Sequence, residues 1–362
     1  MQHVKTLTKH NFNAGPSILP KQVFEQAAQA VIEFNNTGLS ILEIGHRTDL
    51  FQQVIDEAVG LVKELMDLNG DQEVLLLHGG ASTQFFQVPM NLLNEDETAA
   101  YLDCGVWGKK AIKEANVFGK VNVVASSKDK GYTYIPRNFE IPSDSKYFHY
   151  TTNNTIEGTE MHFVPRTNVP LVADMSSDIL SRKMDFKQFA LIYAGAQKNI
   201  GAAGVNMVIV NKNILGKVNR NLPSMMDYRQ HIEAGSMLNT PPVFPIYVCL
   251  LTLRWLKEQG GVTGIEKINN EKSTLLYNTL EEFPIFSLPV AKEDRSKMNV
   301  VFTMNDKNLE SEFLKVCKEE GMIGVKGHRS VGGFRVSLYN ALPLESVKAL
   351  TVLMRWFVTN KG

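Results

Sequence analysis

The chain has 362 residues, with 38 Lys plus Arg against 38 Asp plus Glu, 44% hydrophobic residues and 21% charged ones. A single core stops growing at about 250–300 residues, so two domains are expected, and balanced charge excludes a net field toward nucleic acid or an anionic membrane. No apolar run approaches the roughly 20 residues that span a bilayer, and Cys104, Cys249 and Cys317 form no CxxC pair, which argues against a zinc site or disulfide framework and suits a reducing cytoplasm.

The N-terminal MQHVKTLTKHNFNAG lacks the apolar run of a secretory signal. Strands are predicted at EVLLLH (73–78), TAAYLD (98–103), VNVVAS (121–126), KYFHY (146–150), PLVADM (170–175), FALIYAG (189–195) and VNMVIV (205–210). Helical patterns lie between several of them, at 81–93, 105–117 and 182–188. This alternation predicts an α/β domain with a largely parallel sheet. Helices follow at 244–259 and 262–283, then strand 298–304, helix 309–320, strand 333–339 and helix 343–360. That last third reads as a smaller α+β domain. The predicted division is 1–15 for an N-terminal segment, 16–260 for a large domain and 261–362 for a small one.

LIYAGAQKNIGAAGV (191–205) sets Lys198 among small and apolar residues, where a buried strand gives way to a glycine-rich turn. An amine at the mouth of a sheet is partly desolvated, which lowers its pKa and frees it as a nucleophile. Schiff-base chemistry with a carbonyl cofactor requires such an amine. PLVADM ends on Asp174, 24 residues before Lys198, at a strand's carboxyl end where open α/β sheets bind ligands. A carboxylate there can keep a pyridine nitrogen protonated, and it can equally serve as a turn or N-cap residue. LLLHGGASTQFF runs through Gly79–Gly80 into a helix, which predicts N–H groups of Ala81, Ser82 and Thr83 directed at an anion. Trp107, just after another strand, suits either a stacking platform or the core.

Together these stretches resemble the phosphoserine aminotransferases, fold-type I pyridoxal-phosphate enzymes of the class V aminotransferase group. The resemblance rests on NFNAGPSILP, SILEIGHR, HGGASTQF, YLDCGVWGKKA, NNTIEGTE, ADMSSDILSR, IYAGAQKNIGAAG, NTPPVFPIY and GHRSVGGFRVSLYNAL, in family order from about residue 11 to 350. It implies a mostly parallel seven-stranded sheet in the large domain and pyridoxal 5′-phosphate as cofactor. By that resemblance Lys198 bonds the cofactor covalently, Asp174 partners the pyridinium, Trp107 stacks on the ring and Thr155 lies near O3′. Ala81, Ser82 and Gln197 look like phosphate ligands. Asn239 and Thr240 match residues that reach the phosphate of a neighbouring subunit, which implies a homodimer with shared active sites. Some family members carry arginine where this chain has Ser82.

A transaminase for phosphoserine and glutamate must hold an α-carboxylate and a distal anion, and guanidinium forks suit both. In GGFRVSLY, alternation puts Arg335, Ser337 and Tyr339 on one face. The resemblance makes Arg335 the candidate α-carboxylate clamp. His328 and Arg329, in a glycine-flanked loop, and the pair His46 and Arg47 are candidates for the distal-anion site. No cysteine lies in 321–334, which disfavours a desulfurase. An alanine–glyoxylate type enzyme and a non-catalytic ligand-binding protein on the same scaffold are the remaining alternatives. The expected setting is cytoplasmic, with no metal, nucleic acid or membrane partner.

Overall fold

The computed structural model describes residues 8–361. The first seven residues of the stretch read for a secretory signal, and of the expected 1–15 segment, lie outside the described residues, as does the last residue of the expected small domain. The large sheet comprises β1 (Gln72–His78), β2 (Thr98–Asp103), β3 (Lys120–Ser126), β4 (Phe148–Thr151), β5 (Leu171–Asp174), β6 (Phe189–Gly195) and β7 (Val205–Asn211). Their order across the sheet is β1-β7-β6-β5-β4-β2-β3. β7 runs antiparallel to both of its neighbours, and every other pairing is parallel. This is the mostly parallel, seven-stranded α/β sheet expected.

Buried runs make the central strands: β6 and β7 expose almost nothing along FALIYAG and VNMVIV, as strands covered on both faces do. One face packs under the helices Lys21–Ile32, Asp49–Leu65 and Val243–Glu258; the other packs under Ala81–Leu92 and Val106–Ala115. The predicted helix at 182–188 is absent. Only a single 3₁₀ turn forms there, Phe186–Gln188, because the Asp185 side chain accepts the Lys187 N–H and caps a turn.

The C-terminal third contains a small antiparallel sheet, in the order Phe286–Ser287, Asn299–Met304, Phe334–Ser337, with its own core. Helix Gly261–Glu282 serves both cores: Val262 and Ile265 join the large one, Leu276 and Leu280 the small one. The N-terminal segment ties the two together. Strand His10–Asn11 pairs with Met322–Ile323 in the C-terminal third. A few residues later Ser17 donates its N–H to the Gln197 carbonyl at 2.9 Å and its hydroxyl to the Lys198 carbonyl at 2.5 Å. The backbone of the turn after β6 is therefore pinned by a distant stretch of chain.

Candidate active site

The carboxyl ends of β1, β4, β5 and β6 surround a cavity of about 140 Å³. Gly80, Ala81, Ser82, Trp107, Thr155, Asp174, Gln197 and Lys198 line it. Strand ends in an open α/β sheet are where ligands bind, since loops and helix starts converge there. Gly79, at φ +91°, makes the turn out of β1; a Cβ on it would lie 2.5 Å from the Thr83 hydroxyl. Helix Ala81–Leu92 then starts with no side-chain cap, so among the described residues the N–H groups of Ala81 and Ser82 at the cavity have no partner. The Thr83 N–H, expected as a third donor, is already bonded to the Gly80 carbonyl at 2.9 Å, because the first turn tightens.

Lys198 donates from Nζ to Thr155 Oγ1 at 2.8 Å. Its partner is a neutral hydroxyl. Desolvation is the main influence and pushes the amine down to about 8; Asp174 and Asp178 pull it up, and Arg335 lowers it further. Asp174 is buried, and burial raises its carboxyl above the usual range against two bonds from Ser176, N–H at 2.9 Å and hydroxyl at 2.6 Å, both to Oδ1. Oδ2 makes no hydrogen bond among the described residues. Among the described residues Trp107 Nε1 and Thr151 Oγ1, buried beside the same cavity, have no hydrogen-bond partner. A free acidic oxygen, a poised amine, unpartnered donors and a helix N-terminus together fit a cationic aromatic ring bearing an aldehyde and a phosphate.

The structure thus brings together Lys198, Asp174, Thr155, Trp107, Ala81, Ser82 and Gln197. Arg335 is attached at one remove: its Nη1 donates to the Thr155 carbonyl at 3.3 Å, while its Nε is buried and unpartnered. Its neighbour Phe334 enters the small core, whereas Ser337 and Tyr339 both bond Asn299, so the alternation of faces holds. His328 caps its own loop through Ser330 at 2.7 Å. Its imidazole is lowered by burial first, then by the charges of Arg335, Arg329 and Lys110. Asn239, Thr240, His46 and Arg47 do not line this cavity within the chain, and Asn239, Thr240 and Arg47 are exposed.

Several groups escaped the sequence reading. Lys110 stands over the Trp107 ring at 4.3 Å, an i,i+3 relation that GVWGKKA already contained. Behind the site, Arg182 bridges Glu160 at 3.1 Å and Asp178 at 3.2 Å, all buried or nearly so. Thr152 joins that network to the Asp174 carbonyl, which it reaches through its N–H at 3.0 Å and its hydroxyl at 3.1 Å. Burial lifts Asp178 to about 6. Glu157 is buried next to the start of the Trp107 helix. Among the described residues no cluster of three acidic, histidine or cysteine side chains is arranged to hold a metal, and no helix is long and apolar enough to cross a membrane.

The family model for class V aminotransferases matches residues 9–350. A phosphoserine aminotransferase of Flavobacterium psychrophilum is 55% identical over 350 residues, which cover 96% of this chain and 98% of that one. The chain belongs to the class V aminotransferases, in the phosphoserine aminotransferase family. A relative of the same description from Bacteroides thetaiotaomicron is 54% identical over 97% of this aminotransferase and 99% of its own length. Among solved structures, the phosphoserine aminotransferase of Bacillus circulans subsp. alkalophilus superposes with a TM-score of 0.95 at 41% identity, over 98% of this chain and 99% of that one. The PLP-bound phosphoserine aminotransferase of Trichomonas vaginalis gives 0.92 at 34% identity, over 96% and 100%. An alanine–glyoxylate aminotransferase of a Nostoc species gives 0.75 at 15% identity, over 99% and 98%, and shares the fold alone.

Proposed function

We propose that this aminotransferase moves the amino group between O-phospho-L-serine or L-glutamate and 3-phosphohydroxypyruvate or 2-oxoglutarate, with pyridoxal 5′-phosphate as cofactor, in serine biosynthesis. 4-Phosphohydroxy-L-threonine, an intermediate of pyridoxal phosphate synthesis, is a second proposed substrate. The observation that carries the reading is an amine lowered to about 8 in one cavity with a buried carboxylate that keeps one oxygen free. When bound, the cofactor supplies an electrophilic carbon and an electron-accepting ring. The residues that would hold it are Asp174 at the pyridine nitrogen, Trp107 along the ring, Thr155 at the phenolic oxygen, and Ala81, Ser82 and Gln197 at the phosphate.

The chain's own part is positioning and proton transfer. Lys198 Nζ takes the proton from the substrate's α-carbon and would deliver it to the carbon that the cofactor's aldehyde supplies, a task suited to an amine whose pKa lies near the working pH. Burial of Asp174 beside Ser176 fixes its carboxylate in one orientation, so its charge acts in one direction. Arg335 offers a fork for the α-carboxylate. His328, Arg329, His46 and Arg47 are assigned to the distal anion.

The exposure of Asn239, Thr240 and Arg47 supports a homodimer whose partner site they complete. Three unpaired, buried cysteines support a reducing, cytoplasmic setting. We assign cofactor binding to residues 16–260 and the small domain to 261–362. A parallel absorbance titration of the holoenzyme tests the substrate class. Phosphoserine and glutamate are expected to bleach the cofactor band at concentrations far below those needed for alanine; equal response to alanine would favour the alanine–glyoxylate type.

A further inference from the structure

A flexible carbon stem separates the Lys198 amine from its backbone, so the place of Nζ depends on what holds that stem and the peptide beneath it. Nζ itself has one hydrogen-bond partner among the described residues, the Thr155 hydroxyl. At the backbone, the hydroxyl of half-buried Ser17 donates to the Lys198 carbonyl, and the Ser17 N–H donates to the Gln197 carbonyl at 2.9 Å. The hydroxyl's other acceptor, the Ile18 carbonyl at 3.3 Å, is the poorer one. Among the described residues no other donor reaches the Gln197 or Lys198 carbonyl. The chain beside Ser17 also runs along the stem: a Cβ built on Gly15 would lie 3.6 Å from Lys198 Cγ and 3.7 Å from its Cε.

The same stretch is anchored on the strand that carries Arg335. Phe12 is buried in the small core; its N–H donates to the Ile323 carbonyl at 2.8 Å, and its carbonyl accepts the Ser337 N–H at 3.3 Å. The Ala14 carbonyl accepts the Tyr339 hydroxyl at 2.8 Å. These contacts close a ring. Lys198 bonds Thr155, Arg335 bonds Thr155 from the other side, the Arg335 strand holds residues 12–14, and Ser17 returns to Lys198. Asn199 braces the turn separately, accepting the Asn340 N–H at 3.0 Å and donating to the Ile179 carbonyl at 3.1 Å. Loss of the Ser17 hydroxyl therefore leaves the turn folded.

We propose that Ser17 is a positioning residue for amino transfer: braced through residues 12–14 on the Arg335 strand, it holds the Lys198 backbone so that the amine meets the substrate's α-carbon where the clamp presents it. This rests on Lys198 as the amine that moves the α-proton and on Arg335 as the clamp. Once Nζ turns from Thr155 to the substrate, the stem and its backbone are what still aim it. Such transfers are steep in geometry, and a misplacement of about 1 Å costs up to about 10²-fold.

Rapid mixing of the holoenzyme with saturating glutamate reads the first half-reaction as a rate constant and an amplitude. Ser17→Ala is expected to lower the rate constant about 10-fold at unchanged amplitude per bound cofactor, and to do the same with phosphoserine. Ser17→Thr, which keeps the hydroxyl, is expected to restore it. α-Deuterated glutamate should slow S17A at least as strongly as the wild type, because proton transfer is the step made worse. In a Tyr339→Phe background S17A should cost less than it does alone, since the brace has already lost an anchor. In cofactor-free S17A, the reaction of Lys198 with a small aldehyde should still level off above about pH 8, because burial, and not Ser17, lowers the amine.

A serine that only stabilised the fold would give a smaller amplitude at an unchanged rate constant. That result, a lost isotope effect, full additivity with Y339F, or an aldehyde profile moved toward 10.5 would each overturn the proposal. If Lys198→Ala kept a near-normal rate, the role of Lys198 itself would fail, and that variant tells the two failures apart.

Discussion

Two lysines are withdrawn from water in this molecule, and they teach opposite lessons. Lys272 lies on helix Gly261–Glu282, fully buried, with Nζ facing the carbonyl oxygens of Tyr339 at 2.8 Å, Leu338 at 2.9 Å, Leu342 at 3.2 Å and Asn340 at 3.5 Å. Burial alone pushes it down to about 7, lower than Lys198 at about 8. Yet four carbonyl oxygens favour the charged form, and among the described residues no carboxylate partners it. Lys198 has a single hydroxyl partner, an acid across a cavity and a guanidinium beyond. A lowered amine does not make a site; an open position opposite a complementary group does.

The sharpest way to break this contrast is to remove each amine. Lys198→Ala is expected to reduce kcat by roughly 10³-fold or more, the scale of a lost proton-transfer group, and a near-normal rate would end its assigned role. Arg335→Ala is expected to lower kcat/KM for phosphoserine and glutamate alike by about 10- to 100-fold, one or two charge-assisted bonds, while the cofactor stays bound. Steady-state kinetics with both donors checks it. Lys272→Met should leave the cofactor absorbance intact and cost about 3 kcal/mol of stability in a denaturant melt, because carbonyls lose their donor.

The smallest expected effect concerns pH. An amine lowered to about 8 from an ordinary 10.5 is protonated below that value and free above it. In cofactor-free protein, the rate at which Lys198 reacts with a small aldehyde should therefore rise with pH and level off above about 8. A rate still climbing toward 10.5 would show that the amine is not desolvated.

The same contrast explains what was legible beforehand. TAAYLD and FALIYAG read as strands to the residue, because β-branched and apolar runs between turn signals admit little else. Lys198 stood out because strand and glycines flank it. Lys272, in NNEKSTLL, has the surroundings of an exposed helical lysine, and only tertiary contacts with 338–342 bury it. Glu157 was hidden for a like reason: the N–H it accepts, from Val106, lies 51 positions away. The expected 182–188 helix failed where Arg182 turns inward to Glu160 and Asp178, a pull that no local propensity records. Asn239 and Thr240 came from the resemblance, and within one chain they do not line the Lys198 cavity.

Borohydride reduction of the cofactor-loaded enzyme, followed by peptide mass mapping, tests the central claim most directly, because it asks which of the two lowered amines the aldehyde has found. The pyridoxyl adduct is expected on the peptide containing Lys198, with Lys272 unmodified. An adduct on Lys272, on any other lysine, or on none would contradict the account.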